Sequence, residues 1–197
     1  MGIEERKQRE REQRKQAIID AAETVFAHHG FENSTMDNVA DAAEYSKGTL
    51  YLYFKNKQEI CMAIVARSMA AILMEINKHW GNESAKAGFD LIADLKDIYC
   101  AFRAQRPDYC RALLKFNYHG NCGDGFGAAD DVVCKRAEVL ALITATIEQG
   151  IEDGSIRQDM QAEALAETLF LGCLCGDNGR AGSELLFPLL LDGIKRR

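Results

Sequence analysis

The apolar positions of this 197-residue chain recur three and four residues apart along most of its length, the spacing of amphipathic helices. The sharpest stretch runs from Thr35 to Lys57, TMDNVADAAEYSKGTLYLYFKNK. Met36, Val39, Ala40 and Ala43 stand at i, i+3, i+4 and i+7 on one apolar face, and Ser34 or Thr35 is placed to cap it. Glu44 and Tyr45 break that face. Ser46 then caps a second short helix, in which Leu50 and Phe54 turn inward while Lys47, Thr49, Tyr51 and Tyr53 turn outward. Asn56, with Glu59 three residues on, opens a third helix in the manner of a capping box and aims Lys57 the same way.

Two short helices joined by a tight turn form the layout of a helix-turn-helix DNA reader. The outward groups, a cation, a hydroxyl and phenols, suit a phosphate backbone or a base edge. Beyond Lys57 the pattern predicts further helices: one to about Trp80, and one from about Gly88 through Phe102 that stops before Pro107. A helix over Pro107 to Tyr118 follows, then a loop at Gly120 to Gly127, and then a helix from Ala128 to Asp153. Asp159 is placed to cap a helix through Gly176, and Leu185 to Arg196 makes the last, with Pro188 near its start or kinking it.

Charge runs against a nucleic-acid partner at first sight, because the chain carries net −6. The imbalance is uneven. Residues 1 to 67 hold 10 Lys or Arg against 11 Asp or Glu, net −1, so the remaining 130 residues carry −5. The cations of the first part cluster at Arg6 to Lys15 and Lys47 to Lys57, and local placement outweighs distant charge once salt screens beyond about 10 Å. The opening sixteen residues are charged throughout, without the apolar run of a signal peptide. They read as a frayed, solvated extension of the first helix, with a flexible basic arm for the minor groove as the functional alternative.

The segment Ser46 to Glu59, SKGTLYLYFKNKQE, resembles the recognition-helix signature of the TetR family of bacterial transcriptional regulators. Ala17 to Ala22 through Phe26, Gly30, Phe31, Thr35-Met36 and Val39-Ala40 is similar to the family's first helix and the start of its second. One position departs: the family usually has Gly where this chain has Glu44, which implies a slightly strained turn. The resemblance implies an all-α fold, with an N-terminal three-helix DNA-binding module over residues 1–60 and a C-terminal effector-binding and dimerisation domain over 61–197. It implies a cytoplasmic homodimeric repressor that leaves a palindromic operator when a small molecule binds. In that scheme Thr35, Lys47, Tyr51 and Lys57 meet phosphates, Ser46, Gly48 and Thr49 approach the bases, and Tyr53 is a further contact candidate.

The second domain is less explicit. Tyr99, Phe102, Arg103, Tyr109 and Phe116 are candidates for an effector cavity, with Arg103 as an anion partner. Leu165, Leu169, Gly172 and Cys173 form one stripe, and Leu186, Leu189, Leu190 and Ile194 a second; in the family the corresponding helices resemble a four-helix dimer interface. The seven cysteines read as reduced cytosolic thiols, with His119, Cys122 and Cys110 as the better of two weak metal candidates. The Gly123-x-Gly125-x-Gly127 run lacks a preceding strand and a nearby Lys, and no catalytic motif accompanies it, so neither an enzyme nor a bound cofactor or metal is expected. The alternatives are a metal- or thiol-responsive regulator of the same fold, and a helical interaction protein without operator binding. No partner membrane is expected.

Overall fold

The N–H of Gly2 donates to the Glu5 carboxylate at 3.0 Å, and from Ile3 the chain is helical. The computed structural model describes residues 2–81, 86–105, 127–175 and 183–195. Its helices are α1 (Ile3–His29), α2 (Met36–Ala42), α3 (Lys47–Tyr51), α4 (Lys57–Trp80), α5 (Gly88–Gln105), α6 (Gly127–Glu152), α7 (Ala162–Cys175) and α8 (Ser183–Ile194). The fold is all-α. Among the described residues the one β feature is an isolated antiparallel bridge between Ile156 and Lys195, and no helix is long and apolar enough to cross a membrane. The compact units are Met1–Arg67 with Asn121–Val132, and Ser68–Gly120 with Val133–Arg197. The division at Arg67–Ser68 falls inside α4, the helix that also holds the boundary expected at residue 60.

The first unit is built around one apolar cluster. Ile18, Ile19, Ala22 and Val25 of α1 meet Val39 and Ala40 of α2, Leu50 of α3, Phe54, and Ile60 and Ile64 of α4. The charged opening of α1 is helical rather than frayed, and residues 2–14 are exposed. Gly30 ends α1 at φ +75°, its N–H donating to the Phe26 carbonyl at 3.0 Å. Arg67 ties α4 back to α1 through ion pairs with Asp20 at 2.5 Å and Glu23 at 2.7 Å.

In the second unit, the start of α5 sits on the end of α6. A Cβ added to Gly88 would lie 2.3 Å from the Gly150 nitrogen, so only glycine lets the two backbones approach this closely. The segment after α6 supplies caps for α5: Gly88 N–H donates to Asp153 at 2.8 Å and Phe89 N–H to Ser155 Oγ at 3.0 Å. Hydrogen bonding from Ser155, and then from Gly88, holds the Asp153 carboxyl below the usual carboxylate range.

Two boundaries differ from the sequence pattern. Asp159 does not cap α7, which begins at Ala162; its carboxylate is taken by the Arg157 guanidinium instead. The last helix, α8, starts at Ser183 rather than Leu185, which leaves Pro188 inside it. The helix expected over residues 107–118 and the glycine run at 123–127 lie outside the described residues, apart from Gly127 at the head of α6.

The Gly88–Gly150 contact leads to a measurable expectation. Gly88→Ala forces backbone apart from backbone, so the variant should lose about 1–3 kcal/mol of stability or more in urea unfolding. A wild-type midpoint would mean that α5 starts elsewhere.

Candidate nucleic-acid interface

Thr35 is the N-cap of α2, its hydroxyl oxygen accepting from Asn38 N–H at 3.2 Å while Asn38 Oδ1 accepts from Thr35 N–H at 2.9 Å. This is a reciprocal capping box with Asn in the place usually held by Glu or Gln. Ser34, the other cap candidate, is buried and donates to the Gly30 carbonyl at 2.7 Å.

The turn between α2 and α3 is a Schellman motif. Tyr45 N–H donates to the Ala40 carbonyl at 3.0 Å and Glu44 N–H to the Asp41 carbonyl at 3.2 Å, with Glu44 in the left-handed region at φ +57°. A side chain at that φ costs about 1–2 kcal/mol relative to ordinary helical geometry, which is the strain the Gly-to-Glu departure implies. Tyr45 then packs against the core cluster.

Ser46 caps α3 by accepting from Thr49 N–H at 3.1 Å, and its hydroxyl also meets that of Thr49 at 2.9 Å. Leu50 and Phe54 are buried as their spacing predicts, so the other faces of α3 look outward. Gly48 has open space around its α-carbon, where an added Cβ would meet nothing nearer than Ser46 Oγ at 3.9 Å. Tyr51 is 53% exposed and Leu52 77%. Ser46, Lys47, Gly48, Thr49 and Tyr51 are thereby brought together on one short element, while Tyr53 is half-buried against the core. Leu52 was missed in the sequence reading, although its place two residues from inward Leu50 puts it on the opposite side of a helix.

Both candidate lysines have protein partners. Lys47 donates to Asp37 at 2.5 Å, a hydrogen bond that holds its ammonium above the ordinary lysine range, so the charge persists but is partly neutralised. Lys57 points back into the module: its ammonium donates to the carbonyls of Phe31 at 2.9 Å, Glu32 at 3.0 Å and Ser34 at 3.1 Å, and lies 4.7 Å from the Phe31 ring centre. Its three protons are therefore used in fastening the α1–α2 loop to the head of α4. Glu59 helps at the same place, accepting from Lys55 N–H at 2.7 Å rather than from Asn56, while Asn56 accepts from Glu59 N–H at 2.9 Å.

The candidates of the second unit are only partly described. Tyr99 and Phe102 are buried on α5; the Arg103 side chain, Tyr109 and Phe116 lie outside the described residues. Leu165, Leu169 and Ile194 are buried within the single chain, so they are already covered without a second copy. Gly172 is buried against Leu190, whereas Leu189 is 67% exposed and Leu171, not singled out beforehand, 42%. The side chains of Cys173 and Leu186 are not among those described. No group of three metal-ligating side chains occurs among the described residues, and His119, Cys110 and Cys122 fall outside them.

Residues 18–64 match the family model for bacterial regulatory proteins of the tetR family. The chain is 29% identical over 145 residues to the uncharacterized HTH-type transcriptional regulator YhgD of Bacillus subtilis, covering 73% of this chain and 72% of that one. It is 34% identical over 107 residues to the probable acrEF/envCD operon repressor of Escherichia coli K12, covering 53% and 47% respectively. Its fold resembles the Bacillus subtilis transcriptional regulator FadR, solved in complex with stearoyl-CoA, with TM-score 0.70, 20% identity and coverage of 91% of this chain and 98% of that one.

Two substitutions probe the framework of the site. Glu44→Gly should raise stability by about 1 kcal/mol, since it relieves the left-handed strain at some cost in unfolded-chain entropy; a destabilised variant would place the strain elsewhere. Lys57→Met should lower stability by about 1–3 kcal/mol by removing a charged donor shared by three carbonyls, whereas an unchanged denaturation midpoint would remove the clasp.

Proposed function

We propose that this chain, which belongs to the tetR family of bacterial regulatory proteins and so is a DNA-binding transcriptional regulator, works as a homodimeric repressor that a small molecule releases from a palindromic operator. The observation that carries the reading is the α2–turn–α3 unit, in which a Schellman turn and two side-chain caps present Gly48, Thr49, Tyr51 and Leu52 outward from a buried Leu50. Two such modules related by a two-fold axis read half-sites about 34 Å apart or a multiple of that.

In this scheme Gly48 lets the backbone approach the groove, Ser46 and Thr49 offer hydroxyls to base edges, and Leu52 offers an apolar contact of the kind a thymine methyl takes. Thr35, Lys47 and Tyr51 contact phosphates, Lys47 by exchanging Asp37 for a phosphate oxygen. Lys57 acts by holding the loop that carries Ser34 and Thr35. The N-terminal module covers residues 1–60 and the remainder binds the effector and the second copy, with exposed Leu171 and Leu189 in the interface. A long-chain acyl thioester is the effector class we favour, supported by the FadR neighbour's stearoyl-CoA and by the aromatic residues of α5.

Selection of bound duplexes from a randomised DNA library tests the reading, with a two-fold symmetric site as the expected product. Lys47→Ala should weaken binding to all sequences, and Thr49→Ala should relax preference at one position by about 1–3 kcal/mol. Stearoyl-CoA should lower operator affinity by about 5- to 150-fold. A folded protein that enriches no site would defeat the operator reading, and sedimentation as a monomer at micromolar concentration would defeat the dimer.

A further inference from the structure

The first four turns of α1 carry six cations and four carboxylates, and the helix sorts them by face. At about 100° per residue, Lys7, Arg11, Arg14 and Lys15 fall within an arc of about 100°. The carboxylates are largely elsewhere or engaged. Glu5 and Glu12 lie outside the arc, where they accept from Gly2 N–H and Gln16; Glu10 lies just beyond its edge and pairs with Arg6 at 2.9 Å. Glu4 shares the arc only at the outermost turn, before Lys7. None of the four stripe cations has a hydrogen-bond or ion-pair partner among the described residues, and the turns that carry them are exposed, with Lys15 half-buried at the inner end.

Direction makes this stripe more than a solvated face. The same arc, continued down the helix, holds Ile18, Ala22 and Val25, the residues that pack against Val39, Ala40 and Leu50. The cations therefore leave the module on the side of α1 where α2 and α3 lie. From Lys7 to Lys15 the stripe is about 12 Å long, the length of three to four base pairs.

The geometry points to a second DNA-binding surface: the projecting part of α1 is a rigid helical arm whose Lys7, Arg11, Arg14 and Lys15 neutralise backbone phosphates beyond the half-site read by α3. This rests on the DNA-binding reading above and adds a sequence-independent contact to it. Charge complementarity selects the occupant, since four unpaired cations on one face of a helix match a line of phosphates and offer nothing to an apolar partner. The net −1 of residues 1 to 67 hides this, because on α1 all the carboxylates but Glu4 lie off the stripe.

The full-length protein with Lys7, Arg11, Arg14 and Lys15 all changed to Gln tests the surface, Gln being nearly as good a helix former as Lys or Arg. Arg6→Gln/Arg9→Gln, off the stripe, is the control, and circular dichroism checks that each variant folds. Two duplexes serve as probes, one trimmed to the selected operator and one with random flanks on both sides. Wild type and control should bind the flanked duplex more tightly than the trimmed one, and the stripe variant should lose that preference. Its plot of log affinity against log salt should be shallower by about 0.9 for each phosphate given up, up to four in each protomer. If wild type binds its operator and the stripe variant matches it in flank preference and salt slope, the surface is overturned while the operator reading stands; wild type that binds neither duplex overturns both. Unchanged DNA binding together with stripe-dependent sedimentation on phosphatidylserine vesicles would assign the stripe to a membrane surface instead.

Discussion

A helix of five residues has no stability of its own, because nucleation costs more than so few backbone hydrogen bonds return. α3 exists only because Leu50 and Phe54 are sealed into the cluster that α1, α2 and α4 build. Everything presented to the outside by Ser46 to Leu52 depends on that burial. This short helix is in effect a surface of the core, so its rigidity is borrowed from Ile18, Ile19, Val39 and Ile60. The Schellman turn adds the angle: with Glu44 left-handed, α3 leaves α2 in one direction, and Tyr45 is drawn into the same cluster.

α4 is the element through which this module is held. At its head, Lys57 gathers three carbonyls of the α1–α2 loop and Glu59 takes an N–H just before the helix; two turns on, Arg67 grips Asp20 and Glu23 of α1. These attachments lie on both sides of the buried Ile60 and Ile64. The module is therefore fastened to α4 by polar groups at two levels and by packing between them. Any rotation of α4 is passed to the loop that leads into α2 through the three carbonyls that Lys57 holds.

Much of this was legible in the order of residues. The spacing of Met36, Val39, Ala40 and Ala43, a cap at Ser34 or Thr35 and another at Ser46, and the inward pair Leu50 and Phe54 are all local signals, and local signals survive folding. The breaking role of Glu44 was legible for the same reason. What sequence reasoning missed depends on partners far along the chain. Lys57 finds carbonyls 23 to 26 residues away and Lys47 finds Asp37 ten residues away, and neither pairing has a periodicity to announce it. Asp159 was misread because Arg157, two residues before it, competes for its carboxylate. Periodicity also gives a helix its apolar face without saying what covers it, which is why Leu165, Leu169 and Ile194 proved to be covered by their own chain.

The cap at the head of α2 has one more consequence. Its reciprocal partner is Asn38, an amide, where such boxes ordinarily use a carboxylate or a longer amide. An amide has no proton to gain as a solution is acidified. The head of α4, by contrast, relies on Glu59, a carboxylate that accepts from the Lys55 N–H at 2.7 Å. The two helix starts are thus secured by different chemistry: α2 by a neutral amide, α4 by a carboxylate.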